Sequence, residues 1–237
     1  MPLPNATAPL RPAGLRVLFF DVNETLLDLK PLKEALGGAF GNPAAFRQWF
    51  GLLLQYSLVD TVTGRYHPFG TIADAALDMT AAMLEEKPLA AAEKKEILAL
   101  MTQLPAHPDV PEGLALLADA GYILVALTNS TQAVLDQQLR HAGLAAHFAQ
   151  ALSVDPVRRF KPHPATYEDA LRQAGVAPAQ AALVAAHGWD LAGAQAAGLA
   201  TAFIARPGQT LYPLAAPPTV QGNTLVEVAQ LLLPRTT

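Results

Sequence analysis

The residues that invite a chemical reading stand at the ends of apolar runs. In RVLFFDVNETLLDLK, residues 16–30, the run Val17 to Phe20 stops at Asp21, with Asn23, Glu24 and Thr25 crowded behind it. Such a run, bounded by polar turn formers, reads as a strand buried on both faces of a parallel sheet. The residues just past its carboxyl end lie where open α/β sheets bind ligands. Asp21 is therefore placed as a reagent, because an unpaired carboxylate at the end of a buried strand costs several kcal/mol or titrates away. Later runs end in the same way. YILVAL leads into Thr128, Asn129 and Ser130, SVDPVRRFKP carries Lys161, and AAHGWD ends in Asp190. Folding does not require this convergence, since a strand can end in any turn former, so it favours a site where two carboxylates, a lysine, hydroxyls and an amide meet.

The elements that must position these groups follow from the pattern between them. Short apolar runs at residues 122–127, 148–154, 182–186 and 201–205 alternate with Ala- and Leu-rich stretches of helical period. PEGLALLADAG, TQAVLDQQLRHAG, PATYEDALRQAG and LAGAQAAG each stop at a glycine, where a helix C-cap wants one. The alternation predicts an α/β fold, a doubly wound parallel sheet with a Rossmann-like core. Residues 31–104 break it with three helical stretches and no convincing buried strand, so a helical cap domain is expected there. PAHPDVPEG marks the return to a core of residues 15–30 and 105–237. The first 14 residues, with two early prolines and no signal-peptide core, read as a loose arm.

Composition narrows the partners. The 237 residues are 51% hydrophobic and 15% charged, enough for one sizeable core and a smaller appendage. A formal net charge of −4 without blocks of like charge argues against a nucleic-acid or anionic-membrane partner and leaves small molecules open. The absence of cysteine excludes disulfides, thiolate nucleophiles and sulfur-ligated metals, and fits a cytoplasmic protein. No segment is long and charge-free enough to span a bilayer.

FFDVNETLLD, LTNS, SVDPVRRFKPHPATY and VAAHGWD, taken together and in order, resemble the haloacid dehalogenase superfamily, and within it the L-2-haloacid dehalogenase branch (type II). The resemblance runs from Val17 to the last helix, and the combination of motifs is specific where any one alone is weak. It implies a hydrolase of carbon–halide bonds in which Asp21 is the nucleophile and forms an aspartyl ester that water then cleaves. Lys161 would hold Asp21 ionised, Thr25 would orient the loop, and Asp190 would activate the water. Thr128 and Asn129 would hold the substrate carboxylate or the halide, and Phe69 would wall the pocket. Tyr167 and Trp189 read equally as substrate contacts at the rim and as side chains packed in the core. A homodimer is also implied.

Departures from the family pattern are as informative. Phosphatases of the superfamily carry a second aspartate two residues after the nucleophile and another acidic residue four before the late aspartate. Here Asn23 and Ala186 stand there. Loss of a general acid costs about 10²–10⁴ in rate, two carboxylates make a poor magnesium site, and a halide leaves without a proton. No metal and no cofactor are therefore expected, and short 2-haloacids are the expected substrates. The rival readings are a small-molecule phosphatase of the same superfamily and a non-catalytic binding protein on this fold. In the cap, the family's Trp-Arg-x-x-x-x-x-Tyr becomes WFGLLLQY, so Phe50 takes the place of the halide-binding arginine, and Arg47 or Arg65 must serve instead. His187 replaces an asparagine that helps to position the water, and a histidine is a competent base near neutral pH.

Overall fold

The computed structural model describes residues 14–233. Apart from Gly14, the arm expected over residues 1–14 lies outside the described residues. Six strands form one sheet: β1 (Val17–Phe20), β2 (Ile123–Thr128), β3 (Gln150–Ser153), β4 (Ala181–Ala185), β5 (Ala200–Ile204) and β6 (Val220–Gly222). Their order is β3-β2-β1-β4-β5-β6, and every neighbouring pair is parallel. The chain winds outward from β1 to β3, then returns to place β4 on the other side of β1. The carboxyl ends of β1 and β4 therefore flank the point where the winding reverses, the ligand crevice of such sheets.

β1 lies at the centre, and none of its four residues is exposed. Alternate side chains point to opposite faces. Val17 and Phe19 pack with Tyr167, Leu171 and Leu191 of α7 (Pro164–Ala174) and α8 (Gly188–Ala196). Leu18 and Phe20 pack with Leu114, Leu139 and Val228 of α5 (Val110–Asp119), α6 (Gln132–His141) and α9 (Leu225–Leu232). Two apolar layers thus cover one sheet, as the alternation of runs and helical stretches predicts.

Between β1 and α5 the chain forms α1 (Lys30–Ala39), α2 (Ala45–Thr63), α3 (Phe69–Met83) and α4 (Ala91–Ala99). Phe46, Trp49 and Leu53 make a buried stripe at helical spacing on α2, and the Trp49 indole N–H donates to the Ala73 carbonyl of α3 at 2.9 Å. The segment leaves and rejoins the sheet through one paired crossing, in which Asp28 N–H bonds Pro105 O and His107 N–H bonds Leu26 O. The expected helical stretches coincide with α2, α3 and α4. Two elements were not expected: α1, whose Gly37, Gly38 and Pro31 dilute the helical signal, and β6, which has only three residues. Among the described residues no helix is long and apolar enough to cross a membrane.

Two glycines do specific work. Gly175, with φ 66°, closes α7 in the left-handed conformation, its N–H on the carbonyls of Leu171 and Arg172. Gly193 lets α8 press against the segment that carries Lys161. A Cβ there would overlap Pro162 Cβ and lie 2.7 Å from the Tyr167 hydroxyl. Gly193→Ala should therefore destabilise the protein by about 1–3 kcal/mol through overpacking. Gly51→Ala at an exposed position of α2, where a Cβ meets nothing within 4 Å, should gain about 0.5–1 kcal/mol. Urea unfolding midpoints at unchanged slope check both, and equal midpoints for the two variants would refute the packing argument.

Candidate active site

Asp21 follows β1 directly, its backbone N–H bonded to Val184 O of β4 at 3.1 Å. Its carboxylate, on a residue only 5% exposed, is held from both sides. Lys161 Nζ donates to Oδ1 at 2.9 Å. On Oδ2 the Thr25 hydroxyl donates at 2.6 Å and His187 Nδ1 lies at 3.0 Å. Thr25 Oγ1 already accepts the Ala186 N–H at 2.9 Å, which leaves its proton for Asp21. Glu24 between them has φ 65°, a left-handed conformation rare outside glycine that the surrounding bonds must maintain.

Lys161 arrives on the loop after β3. Its backbone N–H donates to Asn129 Oδ1 at 2.8 Å, and Asn129 Nδ2 returns to Lys161 O at 3.4 Å. The preceding Phe160 is clasped by the helical segment, through Thr61 Oγ1, the Tyr66 ring and Phe69. The ammonium is fully surrounded: Asp21 at 2.9 Å, Asp190 Oδ2 at 2.7 Å and Leu127 O at 3.0 Å. Asp190 lies in the first turn of α8, where the helix dipole favours negative charge. Its Oδ1 accepts the Tyr167 hydroxyl at 2.5 Å.

These contacts separate the two carboxylates electrostatically. Burial pushes Asp21 up, but Lys161, His187 and Thr25 together outweigh it and hold the carboxyl well below the usual carboxylate range. Asp190 is raised, by burial first and then by the charge of Asp21, against the opposing pull of Lys161. Burial disfavours the Lys161 charge, yet Asp190 and Asp21 leave its pKa above the ordinary value. Paired acids pushed apart in this way are suited to different roles.

His187 is the group whose role the structure changes. Burial lowers its pKa, but bonds to Asp21 and to Glu24 Oε2, the latter at 3.2 Å, raise it to about 9. A carboxylate at each nitrogen favours the imidazolium, which donates from both and competes with the role of base that the ordinary histidine pKa suggests. Trp189 stacks on it with centroids 5.2 Å apart, and Phe50 faces it at 6.2 Å. Glu24 also takes Lys33 Nζ and Gln209 Nε2, each at 2.8 Å.

Asp21, Thr25, Lys161, His187 and Asp190 thus meet as one constellation. The other expected site residues lie around it. Asn129 seats Lys161 through Oδ1 and one Nδ2 proton, and Thr128 Oγ1 accepts the Ser130 N–H at 3.2 Å with its own proton left to donate. Tyr167 is wholly buried and holds Asp190, and Phe69 is buried against Phe160, so neither walls a pocket. Trp189 lines a groove with Pro162 and Leu211. Arg65 is exposed on the loop after α2. Arg47 and Phe50 line a cavity of about 580 Å³ with Glu24, Lys33, Phe46 and Gln209. Asn23 is locked by Gln138 at 2.9 Å and Ser130 at 3.4 Å as a neutral amide.

Glu24, Lys33, Gln209 and Arg206 were not among the expected site residues. Arg206 donates twice to Thr25 O, at 3.1 and 3.0 Å, and pairs with Asp109 at 2.8 Å. Asp109 in turn accepts the Leu225 N–H that opens α9 at 2.6 Å. Among the described residues no group of three or more histidine, aspartate or glutamate side chains is arranged to hold a metal ion. The Lys161 ammonium sits between Asp21 and Asp190.

The family model of haloacid dehalogenase-like hydrolases matches residues 15–198. (S)-2-haloacid dehalogenase 1 of Pseudomonas sp. (strain CBS-3) is 32% identical over 226 residues, covering 92% of this chain and 97% of that protein. (S)-2-haloacid dehalogenase 4A of Burkholderia cepacia is 31% identical over 224 residues, covering 92% and 95%. The L-2-haloacid dehalogenase of Xanthobacter autotrophicus, solved with chloropropionic acid covalently bound, superposes with a TM-score of 0.85 at 25% identity over 92% of this chain and 98% of that one.

Lys161→Met tests the electrostatic account. Removing the cation leaves two buried carboxylates facing each other, which should cost about 3–5 kcal/mol. Without Lys161 the folded-state pKa of the pair rises above the unfolded value, so the variant is penalised most at neutral pH. Its deficit against the parent should shrink as pH falls into the carboxylate range. Denaturant unfolding at pH 5 and pH 8 reads this, and a deficit that does not change with pH would contradict it.

Proposed function

Because the chain belongs to the haloacid dehalogenase-like hydrolases, we propose that it releases halide from short 2-haloacids through an ester on Asp21. The observation that carries this reading is a dry, permanently ionised Asp21 beside an amide, Asn23, at the place where a phosphatase needs an acid. A carboxylate stripped of water is a strong nucleophile toward a carbon bearing a halide. A halide departs as a stable anion, so the proton that an alkoxide would demand is not needed. Lys161 keeps Asp21 ionised, and Asp190, whose affinity for protons is raised, takes the proton of the hydrolytic water. The helices between β1 and α5 act as the cap, closing Phe50 and Arg47 over the substrate. The enzyme works without metal on a small molecule, as a cytoplasmic homodimer.

Two measurements test the reaction. Racemic 2-chloropropionate should release chloride at a rate that neither a chelator nor added magnesium alters, while an aryl phosphate releases no phosphate. Strict magnesium dependence or phosphate release would transfer the chain to the phosphatases. Asp21→Asn, an isosteric amide that cannot form the ester, should fold normally and lose turnover. Retained turnover would remove Asp21 from the mechanism.

The cap arginines give a sharper prediction, because only Arg47 lines the cavity. An arginine beside a developing halide contributes about 1.5–3 kcal/mol, so Arg47→Ala should slow ester formation at least tenfold, a factor that follows from 1.4 kcal/mol per decade. Arg65→Ala should leave it unchanged. Single-turnover quench experiments decide the matter, and equal rates in both variants would show that no cap arginine serves the halide.

A further inference from the structure

The two oxygens of Asp21 are not equivalent. A carboxylate oxygen has two in-plane lone pairs. On Oδ2 both are occupied, by the Thr25 hydroxyl at 2.6 Å and His187 Nδ1 at 3.0 Å, whereas among the described residues Oδ1 accepts only Lys161, at 2.9 Å. We infer that Asp21 attacks through Oδ1, and that His187, held by Glu24, forms with Thr25 the oxyanion pocket that drives hydrolysis of the ester at Oδ2. This assignment rests on the ester reading above.

The electron balance fits this division. Oδ1 bonds to the substrate carbon as the carbon–halogen pair leaves with the halide, and Oδ2 becomes the ester carbonyl oxygen. Water then attacks Asp21 Cγ, and the carbonyl pair moves onto Oδ2, between donors already at oxyanion distance. Collapse expels Oδ1 as the alkoxide of the 2-hydroxyacid. One water proton reaches that alkoxide by way of Asp190, whose partner Lys161 lies on Oδ1, and the second proton is released with the halide. The Asp21 carboxylate is restored with an oxygen from water.

Glu24 explains why the pocket stays cationic. Esterification removes the charge of Asp21, which would leave His187 without an anion were Glu24 Oε2 not 3.2 Å from Nε2. The ring is faced by Asp21 and Glu24 at its nitrogens and by Phe50 and Trp189 at its faces. Lys161 stands behind Asp21, while Lys33 and Gln209 stand behind Glu24. Glu24, itself only 4% exposed, carries an anion that no other bond in the reaction uses. Its bond to His187, and its own pKa held below the ordinary value against burial by His187 and Lys33, keep it charged. Glu24 is thus a positioning residue, and His187 a catalytic one.

Single turnovers with 2-chloropropionate test the assignment step by step. In H₂¹⁸O the parent should place label in Asp21, and absence of label there would sink the ester reading itself. With label present, His187→Ala should slow ester hydrolysis by about 10²–10³-fold, far more than ester formation, so that esterified protein accumulates and is seen by intact mass. His187→Asn, which restores a neutral donor, should recover part of the rate and lose the basic limb of the hydrolysis pH profile. Glu24→Gln should move that limb to lower pH, since His187 then loses its proton more easily. If His187→Ala fails to fold, as circular dichroism would tell, the other two variants decide. A labelled parent whose His187 variants accumulate no ester, or a basic limb unmoved in Glu24→Gln, would overturn the oxyanion assignment alone.

Discussion

One buried ammonium governs the architecture of the site. Lys161 stands between Asp21 and Asp190 at 2.9 and 2.7 Å, and without it two carboxylates, one just past β1 and one in the first turn of α8, could not both be ionised away from water. Its geometry in turn requires the whole path of the chain after β3. Asn129 fixes its backbone, the helical segment clasps Phe160 before it, and Gly193 makes room for Pro162 after it. Leu127 O completes the ammonium's partners, and Tyr167 holds Asp190 from its other oxygen. A cation so enclosed has little freedom, and the ordering energy comes from folding and not from substrate binding.

The site holds a second cation on the same plan. Lys161 and His187 each touch Asp21, and each keeps a reserve carboxylate, Asp190 for the lysine and Glu24 for the imidazolium. On the proposed reaction, an ester at Asp21 would strand neither cation in a low-dielectric surrounding. This duplication accounts for the unusual backbone of Glu24, whose left-handed φ is stabilised by what its carboxylate and carbonyl bind: His187, Lys33 and Gln209 at the former, His107 at the latter.

Much of this was legible in the sequence because strand ends announce themselves. A run buried on both faces is uniformly apolar, so Asp21, Lys161 and Asp190 stood out at its terminations, and the alternation with helical stretches led to the parallel sheet. Side-chain direction was not legible. Whether Tyr167 and Phe69 meet a substrate or pack was not legible, because aromatic residues near a site look alike in sequence, whereas burial against Asp190 and Phe160 is a property of the fold. His187 read as a base because its ordinary pKa suggests one, and only the two carboxylates at its nitrogens reverse that. Gln209 and Arg206 belong to a loop without any motif, and their partners lie 185 and 181 positions away. Strand β6, three residues long, fell below the length at which periodicity carries a signal.

Arg206 connects parts of the molecule that a linear map keeps apart. Its guanidinium binds the carbonyl of Thr25, whose hydroxyl serves Asp21, and it also binds Asp109, on which the first N–H of α9 rests. The Asp21 loop, the start of α5 and the last helix therefore share a single fastening. Genetic damage in the codons for α9, far along the gene from the codon for Asp21, would accordingly loosen the Asp21 loop as well as the apolar layer that α9 completes.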